Sequence, residues 1–158
     1  MEKSLNVHVV RELYEGRHVI PGAWALLFFS LSSPTSAALA PEYYAQARNQ
    51  AAYHVQVRVL SVNGPAKTPG ECAITSEVVR IFRDLPGNLK QAARLAFTIS
   101  CRKAGDERIV GGTLWQDYDS LLHAEYLEVF LNKANGGYAV AMWQAQVIGK
   151  PTNQPVMN

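Results

Sequence analysis

The sequence predicts a mainly β protein built as one small five-stranded barrel, and three observations carry that prediction. Five segments alternate apolar and polar residues at strand length, or run as short β-branched stretches. Turns rich in Gly, Pro and Asn separate them. Helical periodicity is confined to a short segment in front of the first strand and to a single turn before the fourth. The chain of 158 residues suits one domain, and 48% hydrophobic against 18% charged residues makes it globular. A net charge of +2 and a pI near 8.6 are too mild to argue for nucleic acid or a membrane surface as partner.

The first 40 residues read as an export signal. An apolar run over 23–31 follows Arg17 and His18 and precedes a small-residue stretch rich in Ser and Ala. It is far short of the roughly 20 residues a membrane helix needs. Cleavage after Ala38 would remove residues 1–38 and leave Leu39 first; cleavage after Ala40 would place Pro41 next to the cut and is disfavoured. Glu2, Glu12 and Glu15 are unusual in the basic region of such a signal, and a start at Val10 or Val19 would remove some or all of them. The alternative is a buried helix, which Pro21, Pro34 and Pro41 argue against. The chain is therefore expected to be exported, periplasmic or secreted, with no membrane span after signal removal.

The single domain is expected over 39–148. A short helix over 41–52 begins with Pro at an allowed position and places Tyr44, Ala47 and Ala51 on one face. In the first strand, 53–62, Tyr53, Val55, Val57 and Val59 point one way, and His54, Gln56 and Arg58 the other. The second, 72–82, changes phase near Val78–Val79, the mark of a bulge. In the third, 92–101, Leu95, Phe97, Ile99 and Cys101 share the core face. Gly111–Gly112 reads as a backbone corner, Trp115 as an anchor, and Asp117 or Asp119 as the cap of a helical turn over 120–124. The fourth strand runs over 126–131, Asn135-Gly136-Gly137 is a hairpin signal, and the fifth strand runs over 138–148. Residues 149–158 read as a flexible tail. This order best fits an OB-like barrel, with a curved sheet crossed by a helix as the other possibility.

Cys72 and Cys101 are the two cysteines, with no metal-ligand spacing around them. If the second and third strands pair antiparallel, both cysteines lie at the same end. A disulfide there would close a loop of about 30 residues and stabilise the fold by about 3 kcal/mol, against the alternative of two separate buried thiols.

No catalytic motif stands out. His54, His123 and Glu125 are too dispersed to signal zinc, so no metal and no cofactor are expected, and both histidines read as surface residues. Asp117 and Asp119 lack a calcium loop around them. The chemistry that does stand out is charge. A basic segment over 80–108 includes Arg102 and Lys103, and 111–132 carries Asp117, Asp119, Glu125 and Glu128 without a Lys or Arg. These segments either lie together as surface neighbours or face a partner, a protein or a polysaccharide.

The short helix, the strand of Val55–Val62, a cysteine opening the next strand, Ser100-Cys101, Gly-Gly-Thr-Leu-Trp and Tyr-Leu-Glu-Val-Phe-Leu together resemble the netrin-like, TIMP-like module over roughly 48–148. The resemblance implies an OB-type barrel that works by binding other proteins. The chain departs from that pattern in having one possible disulfide and no cysteine at the expected mature N-terminus, so no inhibitory residue carries over. The expected function is an exported, non-catalytic interaction domain. The alternatives are a small exported enzyme with an unsignalled site, or a carrier of an apolar ligand in a cavity lined by Trp115, Tyr126 and Trp143.

Overall fold

The computed structural model describes residues 39–107 and 111–157. The expected signal segment, 1–38, lies outside the described residues. Helix α1 (Pro41–Gln50) precedes strand β1 (Tyr53–Asn63), which pairs antiparallel with both β2 (Gly70–Asp84) and β5 (Tyr126–Ala134). Strand β2 also pairs with β3 (Arg94–Arg102), and β5 with β6 (Gly137–Ile148). Strands β3 and β6 meet in parallel at Phe97↔Tyr138 and Thr98↔Ala139, and this short contact closes the ring. The result is the expected five-stranded OB-like barrel. A further strand, β4 (Gln116–Asp117), lies parallel to the end of β3 and leads into the helical turn α2 (Tyr118–Leu122).

The period-two pattern fills the barrel. Val55 and Val57, Ile74 and Val78, Leu95, Phe97 and Ile99, and Leu127, Val129 and Leu131 form one buried cluster from four strands. Each such side chain is worth roughly 1.5–3 kcal/mol when buried. The phase change in β2 is a bulge: Gln56 faces Arg80 and Val57 faces Val78, leaving Val79 extra, and Phe82 is skipped in the same way between His54 and Val55. These bulges add the twist that a five-stranded sheet needs to close on itself.

Cys72 and Cys101 form the disulfide, with Cα atoms 5.7 Å apart and both residues fully buried. The register explains it: Gly70 faces Cys101 and Cys72 faces Ile99, so the start of β2 lies beside the end of β3.

Three features go beyond the sequence pattern. The first concerns β1, which is buried on both faces over Tyr53–Val57, so His54 and Gln56 are interior residues and not surface ones. The second concerns residues 149–157, expected as a flexible tail. They run back over that outer face, where Thr152 bonds to Gln56, the backbone N–H groups of Val156 and Met157 reach Glu128, and Met157 packs on Ala51, Phe130 and Ala141. The third is in β6, where Val129 faces Ala145 but Leu131 faces Val140, so 141–144 stand opposite a single residue. Met142 and Trp143 sit there at φ 45° and 61°, left-handed conformations that cost a non-glycine residue about 1–3 kcal/mol each. Gln144 pins the bulge, accepting from Arg48 of α1 at 2.8 Å and donating to the Met142 carbonyl at 3.2 Å.

Helix α1 is held at its C-terminal end by Arg83, whose guanidinium donates to the carbonyls of Arg48, Asn49 and Ala51. These are the acceptors that a helix end leaves unpaired. Gly112 is a different case from the expected backbone corner. A Cβ there would come within 2.9 Å of the Leu39 side chain, so the glycine lets Leu39 pack close against the backbone.

The oxidised protein is expected to give no alkylation without reduction. Replacing both Cys72 and Cys101 by Ser should lower its unfolding free energy by about 2–5 kcal/mol in urea titrations. Labelling of both thiols in unreduced protein would contradict the bridge.

Candidate functional site

The structure separates the charged residues singled out in the sequence into two places. Arg102, Lys103 and Asp117 come together. The parallel register sets Arg102 beside Asp117, and with Asp106 and Trp115 they line a cavity of about 480 Å³ that opens to solvent. The basic and acidic segments are thus surface neighbours at this point. Asp117 is committed locally: it is the N-cap of α2, accepting from the Ser120 N–H and hydroxyl at 2.7 Å each. Those two bonds hold its carboxyl below the usual aspartate range, with the nearby Arg102 adding to the effect. Asp106 is also tied down, by the Thr68 hydroxyl and the Lys103 N–H. Lys103 reaches out with Nζ 5.3 Å from the centre of the Tyr118 ring, a cation–π contact. Trp115 is half-buried in the cavity wall, a semi-core position.

Asp119 and Glu125 are exposed and do not line this cavity. The Asp119 carbonyl accepts from the His123 ring Nδ1 at 2.7 Å, so His123 completes the end of α2. A hydrogen bond to the Glu125 carboxylate raises the Tyr126 phenol.

Glu128 is a correction. Expected on a partner-facing surface, it is fully buried. The alternation of β5 does point it outward from the barrel, but the tail covers that face. Its Oε2 accepts from Gln56 Nε2 at 2.7 Å, and its Oε1 from the Met157 N–H at 2.8 Å. The Val156 N–H approaches both oxygens, at 3.1 and 2.9 Å. His54 Nε2 lies 2.9 Å from Oε1 and donates its N–H as a neutral imidazole. The His54 ring lies flat on Phe130, with centroids 3.8 Å apart, and beside Phe82.

Both groups titrate low, for different reasons. Burial pushes the Glu128 carboxyl up, but the bonds from Gln56, Val156, Met157 and His54 outweigh it and bring it below its ordinary value. Burial lowers His54 more than the Glu128 carboxylate raises it. A His–carboxylate pair is a familiar proton relay, yet this one is sealed, at 5% and 0% exposure. Among the described residues no three metal-ligating side chains come together, and no buried side-chain N or O lacks a hydrogen-bond partner.

Sequence reasoning missed Gln56, Thr152 and Gln144, because a polar residue on the outward parity of a strand, or in a tail, looks like a solvated one. Trp115, Tyr126 and Trp143 do not line one cavity: Trp115 lines the charged cavity and Trp143 another.

Acid should loosen the tail. Below the ordinary histidine value of 6.5, the unfolded chain takes up a proton that buried His54 resists, so stability falls as pH drops. The Glu128 contribution is complete above the ordinary glutamate value of 4.5 and is lost as pH falls through its lower folded value. Urea midpoints should therefore decline in two stages from near neutrality into acid. In Glu128→Gln the lower stage should vanish, the Val156 and Met157 amides should exchange faster, and stability at pH 7 should drop by about 1.5–3 kcal/mol, the worth of hydrogen bonds to a charged group. An unchanged acid profile in that variant would contradict the assignment.

Compared with protein-family models, with curated proteins and with solved structures, the chain matches none.

Proposed function

We propose that this chain is an exported, non-catalytic interaction domain, of the binding style the netrin-like resemblance implies, and that it binds a partner protein through the cavity between the end of β3 and α2. One observation carries the reading. Arg102, Lys103 and Trp115 meet in an open cavity of about 480 Å³, within the roughly 300–1,000 Å³ typical of ligand sites. Arg, Trp and Tyr are the residues that most often dominate binding energy at protein interfaces. Tyr118 stands beside them under Lys103.

The surroundings support the same reading. Two aspartates and the barrel edge hold the cavity in shape, so little ordering is required on binding. The buried disulfide supports export, since such bonds persist in oxidising compartments. Among the described residues no helix is long and apolar enough to cross a membrane. The barrel interior is filled by side chains, and the His54–Glu128 pair is sealed behind the tail.

Two experiments test this. Fusing residues 1–40 to a reporter active only after export should give activity, and an inactive fusion would remove the export reading. A photo-crosslinking residue at Trp115 should give discrete protein adducts in cells, which the Arg102→Glu/Lys103→Glu double variant reduces at least ten-fold. The same crosslinker at exposed Arg80 is the control, and equal adducts at both positions would defeat the assignment.

A further inference from the structure

A second, smaller cavity lies further along the outer face of β3, and its construction is unusual. Phe97 and Thr98 pair with β6, and Cys101 and Arg102 with β4. Ile99 and Ser100, between them, have neither partner on that side. The gap exists because β6 turns away in the bulge at Met142 and Trp143, the only consecutive left-handed non-glycine residues among those described. Bulges of this kind re-aim a side chain, and strained backbone concentrates at functional positions. Here the strained residue is Trp143, and it lines the cavity that the gap opens.

That cavity measures about 140 Å³, too small for a drug-sized ligand and suited to a single side chain. Trp143 gives it an aromatic wall and Ala139 a small apolar one, Ile99 and Val140 border it while packing with the barrel core, and Glu71 is the one charged residue lining it. The Glu71 carboxylate is held in place by the Ser100 hydroxyl at 2.7 Å, and Ser100 is itself 6% exposed. A fixed carboxylate and an indole in a cavity of this size together match a long side chain ending in a cation. The stem packs on the apolar border beside Ala139, while the head meets the carboxylate and the ring.

We propose that this cavity receives a lysine or arginine side chain from the partner polypeptide. The proposal rests on the interaction reading and adds the chemistry the partner presents. Thr98, Ser100 and Arg102 alternate on the same outer face of β3, so the Glu71 cavity and the Arg102 cavity lie along one track. A partner segment laid along it would offer a basic residue at one point and meet Arg102 and Lys103 at another.

The test uses the oxidised protein and short peptides carrying one lysine between serines, followed by amide and indole NMR shifts. Saturable shifts confined to Glu71, Ile99, Ser100, Val140 and the Trp143 indole are expected. Acetylating the lysine should abolish them, and Glu71→Gln should weaken binding at least ten-fold. Glu71 is exposed, so this variant leaves the fold intact, and Trp143→Leu provides a second check on the ring. Equal binding of the acetylated peptide, an unaffected Glu71→Gln variant, or a neutral oligosaccharide giving the same shifts would overturn the proposal. If Trp115 crosslinks persist while these shifts are absent, the cavity assignment fails and the interaction reading stands.

Discussion

The carboxylate of Glu128 is the constraint on which the outer half of this structure depends. It sits on β5 and faces away from the barrel interior, where an OB-like strand would ordinarily meet solvent. Instead it gathers His54 and Gln56 from β1 and two backbone N–H groups from the chain's end. A buried carboxylate is tolerable only when its lone pairs are filled, because removing the charge from water costs several kcal/mol. The arrangement is therefore reciprocal. The tail shields the carboxylate, and the carboxylate gives the tail acceptors that a proline- and asparagine-containing segment would not find within itself.

That cover shapes the outer surface of the barrel. With the β1–β5 face covered by the tail, relief along β3 includes the charged cavity, while another cavity of about 410 Å³ lies beside the tail at Ile148 and Val156. The barrel is least complete along β3. Its closure depends on a two-residue parallel contact to β6, supplemented by β4 and by Gln116 donating to the Ala145 carbonyl at 3.0 Å. The disulfide ties β2 to β3 beside that weak seam. The strained bulge in β6 is in turn held from the far side, through Gln144 and Arg48. Covered and open faces are thus linked through one helix: α1 is fastened by Arg83 at its end and itself fastens the bulge.

Much of the barrel was legible because it rests on short-range rules. Period-two alternation identified the core faces of β1 and β3, and a phase slip located the bulge at Val78–Val79. Antiparallel geometry placed Cys72 near Cys101. The cap was legible as Asp117 or Asp119, and the structure decides for Asp117, which accepts from the Ser120 N–H ahead of a turn that begins two residues earlier than expected. The site was only half legible. Arg102 and Asp117 stood out as charges, but what joined them was a parallel register across chain positions that share no local pattern.

The sequence by itself determined the fold class, the inward faces of β1 and β3 and the cysteine pair, because alternation and turn chemistry act between near neighbours. Only the tertiary structure decided what lies on the outward faces. Outward parity says that a side chain leaves the barrel; it does not say whether water or another segment meets it there. Glu125 and Glu128 look alike in the sequence, yet one is exposed and the other fully buried. The difference is the returning tail, whose path is set by hydrogen bonds to Gln56 and Glu128 on separate strands and by the packing of Met157 on Ala51, Phe130 and Ala141.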